Sequence, residues 1–340
     1  MACSGQPRRV AIIPRMKVAV LPPMSASAPA DLAAQLPGWE VELVADRDGV
    51  QAALASADAA IAMILRADDA AAGASLRFCQ AFVAGIDLIA IDAPPAGCTV
   101  CNAYDHETAI GEHVLGVTLM LTRRLGERDR AVRGGMFKQG EGLDRDLAGR
   151  TVGVVGLGHI GRRVVEVCRA IGMRAVAVTA QPSPGRAAAA GLDWLGGPER
   201  DDLHELLRRA DVAVLCLPLE AATEGLVGPA ELAALGPDGI LVNVARGPVV
   251  QERPLYDALC DETIAGAAID VWWQYPKAGA TTFRPSTEPF WELANVVLTP
   301  HSSGLSESMQ RGRWALCIRQ LQAFAEGRPL ENVVRAGAAA

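Results

Sequence analysis

The sequence predicts an α/β protein made of two Rossmann-like, doubly wound parallel-sheet domains. Three observations carry that reading. At Thr151–Gly161 the run Thr-Val-Gly-Val-Val-Gly-Leu-Gly-His-Ile-Gly closes a valine-rich strand with three glycines and leads straight into a helix pattern. On either side, short apolar runs alternate with helical segments, the order that builds parallel strands covered by helices. The chain has 340 residues, half of them apolar, which suits two domains with two buried cores.

Met16-Lys17-Val18-Ala19-Val20-Leu21 reads as a natural start leading into a first strand, Val18–Leu21, so residues 1–15 are expected to be an extension or a misplaced start. Strands follow at 41–44, 59–65, 78–83 and 99–102, with helical segments at 31–36, 50–55 and 69–74. Asp105 is placed to cap a long helix from His106 to about Arg124, whose apolar face is Ile110, Val114, Val117, Leu121 and Leu125. Gly134-Gly135 and Gly140–Gly142 punctuate the loop beyond. Val152, Val154 and Val155 then form a buried strand, followed by a helix over 162–171 with Ile160, Val164, Val167, Cys168 and Ile171 on one face. Strands at 175–178, 212–217, 240–243, 265–270 and 296–298 alternate with helices at 200–210, 229–235 and 251–260. Six strands with right-handed crossovers make a doubly wound sheet with its ligand at the carboxyl ends. A last helix, 306–326, comes after that sheet is complete and is expected to return to the first domain. The domains are therefore expected at 1–104 plus 302–340 and at 105–301.

Composition narrows the function. A net charge of -7 and the lack of a basic stripe argue against nucleic acid. No apolar run approaches the ~20 residues of a membrane helix, and Pro14 breaks the basic start that a secretory signal would need. Eight scattered cysteines, mostly inside apolar segments, read as reduced cytoplasmic thiols. Cys98 and Cys101 form C-x-x-C with His106 and His113 downstream, but a zinc site needs four converging ligands. One cysteine ends a strand and His113 lies inside a helix, so packing is the preferred reading.

The chemistry starts at the glycines. Gly156 permits a tight turn, Gly158 lets a pyrophosphate approach the backbone, and Gly161 lets the helix pack on the strand, whose N-terminal N–H groups face the phosphates. Between a strand and a helix, this G-x-G-x-x-G reads as a dinucleotide site. His301 follows Pro300 in the loop after the last strand, at the ligand edge, and an imidazole can hand a proton to a carbonyl as hydride arrives. Arg246 ends the strand 240–243, where a guanidinium can hold a carboxylate through two parallel hydrogen bonds.

From about residue 76 to 330 the chain resembles the D-isomer-specific 2-hydroxyacid dehydrogenase family. The matching blocks are Val83-Ala84-Gly85-Ile86-Asp87, Glu112-His113, the glycine fingerprint, Leu217-Pro218-Leu219, Val242-Asn243-Val244-Ala245-Arg246-Gly247, Gly266-Ala267-Ala268-Ile269-Asp270-Val271 and Thr299-Pro300-His301. The resemblance implies two α/β domains with a cleft between them, the first for substrate and flavodoxin-like, and usually a homodimer. It implies hydride transfer between nicotinamide and C2 of a small 2-hydroxy or 2-keto acid. His301 would handle the proton, and Arg246 with the backbone of Ala84 and Gly85 would hold the carboxylate. Asp270 would touch the nicotinamide carboxamide. Thr223 is a further cofactor candidate, and Leu157, His159, Ile160, Thr179, Leu217, Pro218, Val244, Ala245 and Gly304 complete the expected cofactor set. Glu112 and His113 read equally as an edge of the cleft or as a solvated helix start. Trp272 and Trp273 can wall the cleft, whereas Trp291 and Trp314 read as core or dimer packing.

Two departures matter. NAD-using members carry an acid after the second strand, to bind a ribose hydroxyl. Here that position is Thr179, with Ser183 and Arg186 beyond it, so the cofactor is NAD or NADP with a lean to NADP. The family's histidine pairs with a glutamate five residues after the aspartate, and here that residue is Tyr275. Tyr275, Gln274 and Glu288 are the candidate stand-ins. A formate- or phosphite-type dehydrogenase tolerates that loss, because its reaction leaves no alkoxide to protonate. A nucleotide-sensing binding protein like the family's corepressor branch is the other rival.

Overall fold

Among the described residues every strand is short, and in the inner strands the apolar residues alternate between two buried faces. The computed structural model describes residues 16–137, 143–277, 280 and 282–338. The expectations for residues 1–15 and for the Gly140–Gly142 loop fall outside these. The chain divides into two units, one running to Asp105 and resuming at Glu307, the other His106–Ser306.

The first unit carries β1 (Met16–Val20), α1 (Leu32–Gln35), β2 (Trp39–Leu43), α2 (Val50–Leu54), β3 (Ala59–Ala62), α3 (Ala67–Ala72), β4 (Phe78–Ala81) and β5 (Thr99–Cys101). The second opens with α4 (Glu107–Thr122) and α5 (Leu125–Arg133). It continues with β6 (Thr151–Val155), α6 (His159–Ala170), β7 (Arg174–Val178), α7 (Pro184–Ala190), β8 (Trp194–Gly196) and α8 (Arg200–Arg209). Then come β9 (Val212–Leu215), α9 (Pro229–Leu235), β10 (Ile240–Asn243), α10 (Glu252–Cys260), β11 (Gly266–Ile269) and β12 (Val296–Leu298). The chain finishes in the first unit with α11 (Glu307–Ala325) and β13 (Val333–Arg335).

The two sheets have six and seven strands, in the orders β13-β5-β4-β3-β1-β2 and β12-β11-β10-β9-β6-β7-β8. All pairs are parallel except β13 on β5, so this is the expected α/β class with two parallel-dominated sheets. In the first sheet Val18 and Val20 face Trp314, Ile318 and Leu321 of α11, while Ala19 faces the side of α2 and α3. In the second, Val152 and Val154 pack with Ile110, Val114, Val117, Val164 and Cys168, and Leu215 packs with Leu206, Leu232 and Leu255. Period-two alternation with helices on both faces is what buries the inner strands β3, β4, β6, β9, β10 and β11 throughout. Two buried polar side chains of α11 are paired inside the first unit. Arg313 donates to the Tyr104 and Phe82 carbonyls, and Gln320 bridges to the Glu331 backbone.

Four expectations need correction. Asp105 does not cap α4: its φ is +71°, outside the extended region that a capping residue takes, and the position before the helix is His106. Glu112 and His113 lie in the second turn of α4, not at its start. Leu125 leaves the apolar face of α4 and starts α5, where it is exposed. The second sheet has a seventh strand, β8, which only β7 pairs.

Candidate active site

Because every strand of the seven-stranded sheet is parallel, the loops after β6, β7, β9, β10, β11 and β12 leave from one edge. The fingerprint loop follows β6. Gly156 has φ +100°, and a Cβ there would meet the Cys216 carbonyl oxygen at 2.6 Å. A Cβ on Gly161 would run into the Gly156 carbonyl oxygen and stand 3.0 Å from Val154 Cγ1. At Gly158 nothing lies within 4 Å of where a Cβ would be. Two glycines are therefore demanded by the fold, and the third leaves open space at the N-terminus of α6. His159, Ile160 and Gly161 form the first turn there, whose N–H groups have no intrahelical acceptor. That cradle fits a pyrophosphate, with Leu157 buried beneath it.

The loop after β10 is held by Asn243, to which the sequence alone assigns no role. Its buried side chain accepts from Ala245 N at 3.0 Å and donates to the Arg246 carbonyl at 3.0 Å. Val244 and Ala245 are buried by this turn, and Arg246 is half-buried, its Nη1 donating to the Ala245 carbonyl at 2.7 Å.

After β12 the backbone of His301 has φ +57°, a left-handed conformation that a non-glycine residue adopts only under constraint. The constraint is Asp270, just past β11 and 1% exposed. Its carboxylate accepts from Thr299 Oγ1 at 2.6 Å, Ser302 N at 2.8 Å and Ser303 N at 3.0 Å. Burial pushes the Asp270 carboxyl up, and these hydrogen bonds override it, leaving it below the ordinary carboxylate value. Trp272 Nε1 donates to the Thr299 carbonyl at 2.9 Å, pinning the same loop. On α4, half-buried His113 feels the Asp270 charge, but burial dominates and pushes its imidazole down. Gly304 sits beside His106, whose Cβ would be 3.3 Å from an added methyl.

Of the three candidate partners of His301, the structure brings Tyr275 to it: the phenolic Oη lies 2.8 Å from Nδ1. Glu288 instead pairs with Arg253 at 3.5 Å, and Gln274 is exposed. Trp273 stacks on Phe290 at 5.5 Å and donates to the Val250 carbonyl, Trp291 lies under Arg284, and Trp314 packs on Phe82 in the first unit.

On the cofactor side, Thr179 follows β7 and Ser183 caps α7 by accepting from Arg186 N. That single turn brings Arg186 back, so its Nη2 donates to the Leu157 carbonyl at 3.3 Å inside the fingerprint loop. Seven residues of sequence thus become direct contact with the pyrophosphate cradle. After β9, Leu217 is half-buried and Pro218 exposed, and Thr223 closes the loop by donating to the Pro218 carbonyl at 2.7 Å. Ala84 and Gly85 follow β4 in the first unit, where Asn102 donates to the Ala84 carbonyl at 2.7 Å. Among the described residues no group of three or more His, Cys, Asp or Glu side chains is placed to hold a metal, and no helix is long and apolar enough to cross a membrane.

A family model described as "D-isomer specific 2-hydroxyacid dehydrogenase, NAD binding domain" matches residues 115–303, more than half of the chain. The chain belongs to the D-isomer specific 2-hydroxyacid dehydrogenase family. Residues of the family's NAD-binding domain therefore carry the fingerprint, Arg246, Asp270 and His301. A D-3-phosphoglycerate dehydrogenase of Methanocaldococcus jannaschii is 31% identical over 252 residues, 74% of this chain and 46% of that protein. This chain thus spans about half the length of the phosphoglycerate dehydrogenases it matches. A glyoxylate reductase of Thermococcus onnurineus is 32% identical over 302 residues, 85% of this chain and 86% of that one. Among solved structures, apo D-mandelate dehydrogenase of Rhodotorula graminis superposes with a TM-score of 0.78 at 25% identity, covering 94% of this chain and 98% of that one.

Proposed function

We propose that the protein is an NAD(P)-dependent oxidoreductase acting on a small 2-hydroxy or 2-keto acid. The observation that supports it best is that one sheet edge carries the glycine cradle after β6, Arg246 after β10 and His301 after β12. A bound nicotinamide would exchange a hydride with C2 of the acid. Arg246 pairs with the substrate carboxylate, and the backbone N–H groups of Ala84 and Gly85 are proposed donors to that same group. His301 gives a proton to the substrate oxygen in reduction. On this reading the unit built around β6–β12 binds the dinucleotide and the unit built around β1–β5 binds the acid. Thr179, Leu217, Pro218, Thr223, Val244, Ala245, Asp270 and Gly304 line the cofactor. The cofactor is NADP in preference: no acid follows β7 to repel a 2′-phosphate, and Arg186 is already folded against the fingerprint loop. The protein works as a cytoplasmic homodimer, a reading that rests on the family resemblance and on buried thiols such as Cys98 and Cys101, which burial pushes up to about 11 and about 12.

The test is absorbance of the reduced nicotinamide, with NADH and NADPH in parallel, against glyoxylate, hydroxypyruvate, phosphohydroxypyruvate and aryl pyruvates. Oxidation of NADPH by one of these supports the reading, and the faster cofactor decides the role of Arg186. Silence across the panel sinks it. One observation favours a second reading: His301 is met by a phenol and not by a carboxylate. Formate or phosphite oxidation needs no alkoxide protonation, so turnover of either with the oxidised cofactors would replace the first reading.

A further inference from the structure

Asn102 stands just past β5 in the first unit, 5% exposed, on a backbone held from both sides. Its N–H donates to the Asn332 carbonyl at 3.0 Å, and its own carbonyl accepts from the buried Gln80 Nε2 at 3.0 Å. From that fixed base its side chain donates to the Ala84 carbonyl at 2.7 Å. A carbonyl oxygen can only accept, so the side-chain atom facing it is Nδ2, which settles which way the amide points. Next to it, the Ala103 N–H donates to the Val83 carbonyl at 3.0 Å.

These two bonds also fix the N–H groups that follow. A peptide unit is planar and trans, so its C=O and its N–H point in opposite directions. The Val83 carbonyl and the Ala84 N–H share one such plane, and the Ala84 carbonyl and the Gly85 N–H share the next. With both carbonyls drawn toward residues 102–103, both N–H groups are turned away from them. Successive N–H groups turned to a common side form a concavity that suits an anion. Ala84 and Gly85 are half-buried, not sealed into the core.

We propose that Asn102 is the positioning residue of the substrate-carboxylate site: its side-chain amide sets the Ala84–Gly85 peptide plane and so aims the Gly85 N–H at the carboxylate of the 2-keto acid. The proposal rests on the reading of Ala84 and Gly85 as carboxylate donors given above. Without the Nδ2 donor that plane is free to turn, and the carboxylate loses a charge-assisted hydrogen bond. The Val83–Ala84 plane keeps its bond from Ala103, so the Ala84 N–H stays in place. The loss therefore falls on substrate affinity, not on the chemistry at C2 or on the dinucleotide.

Two variants and two readouts test this. Asn102→Asp keeps the shape but puts an acceptor against the Ala84 carbonyl. Asn102→Ala removes the donor alone and serves where a buried carboxylate prevents folding. The first readout needs no turnover. Protein labelled with ¹⁵N-glycine, with Gly85 assigned from the signal lost in Gly85→Ala, is titrated with oxamate, an unreactive isostere of pyruvate, with NADH or NADPH present. The wild-type Gly85 amide proton should move downfield as oxamate binds, and either variant should weaken that titration about tenfold. A Gly85 signal that oxamate leaves in place, or a titration that neither variant weakens, overturns the proposal. The second readout is steady-state reduction. The variants should raise KM for the keto acid about tenfold and leave kcat and the NADPH dissociation constant within about threefold. A fall in kcat with KM unchanged would mark a merely structural role and overturn the proposal. The two failures are distinct. A wild type that reduces no keto acid while oxamate still moves Gly85, and less so in the variants, removes the oxidoreductase reading and keeps the carboxylate site with Asn102 behind it. A wild type that reduces keto acids with Gly85 silent keeps the function and removes Asn102 from it.

Discussion

The guanidinium of Arg246 is already anchored by the Ala245 carbonyl, and Asn243 fixes the backbone that carries it. A guanidinium is a rigid plane of donors, the geometry a carboxylate matches with two parallel bonds. Lysine keeps the charge but not the fork. Arg246→Lys should raise KM for the keto acid by at least tenfold, about 1.4 kcal/mol, and leave NADPH affinity within a factor of two. Steady-state kinetics and a fluorescence titration of NADPH check both halves. Asp270 and His113 set a different dependence. Both are held below their ordinary values, so both are groups to which the unfolded chain binds more protons at low pH. For His113 the loss of stability begins as pH falls past about 6.5, and for Asp270 it begins near 4 and continues down through its folded value. Thermal melts from pH 8 to 3 should show two descending steps, and His113→Gln should abolish the upper one. The places of Arg246 and His301 in loops after strands were legible in the sequence. Asn243 was not, because an asparagine at a strand end has many uses. Tyr275 marked the right position, but nothing in its identity says where a phenol points.

At the scale of elements, the fingerprint contains two kinds of glycine that look the same in sequence. A Cβ on Gly161 would overlap the Gly156 carbonyl, and one on Gly158 would face open space. Gly161→Ala should therefore destabilise the second unit by about 1–3 kcal/mol, the usual cost of overpacking. Gly158→Ala should leave the melting temperature nearly unchanged and weaken NADPH binding at least tenfold, since the methyl enters the pyrophosphate cradle. A melt and a titration on each variant separate them, and a Gly158→Ala protein that binds normally would remove the cradle from the cofactor site. The elements that the sequence does not announce share a cause. No residue of α5 is buried, so it has no apolar stripe to find. The strand β8 is three residues long and β13 is an antiparallel edge, and in each the pattern is too short to show a period. The strands at 240–243 and 296–298, buried in mid-sheet or followed by a site loop, were found at their observed bounds.

At the scale of the whole chain, the two units differ in how they are threaded. His106–Ser306 is continuous, whereas the first unit is closed by α11 and β13 from the far end of the sequence. Trp314, Cys317, Ile318 and Leu321 cover Val18, Val20, Ile61, Phe78 and Phe82, and Trp314 lies 4.9 Å from the Phe82 ring. Buried side chains the size of Trp314, Ile318 and Leu321 contribute about 1.5–3 kcal/mol each, so removing these three costs an amount comparable with the whole stability of an ordinary domain. β13 also pairs β5, and its loss would turn that strand into an edge. A chain ending at Ser306 should therefore lose the first unit and keep the second, because among the described residues none in the core of β6–β12 comes from beyond residue 306. Limited proteolysis should degrade residues up to about 105 and leave a resistant fragment from α4 onward. That fragment should still bind NADPH in a calorimeter while reducing no keto acid. Loss of binding together with the first unit would show that the dinucleotide site does not stand on the second unit alone.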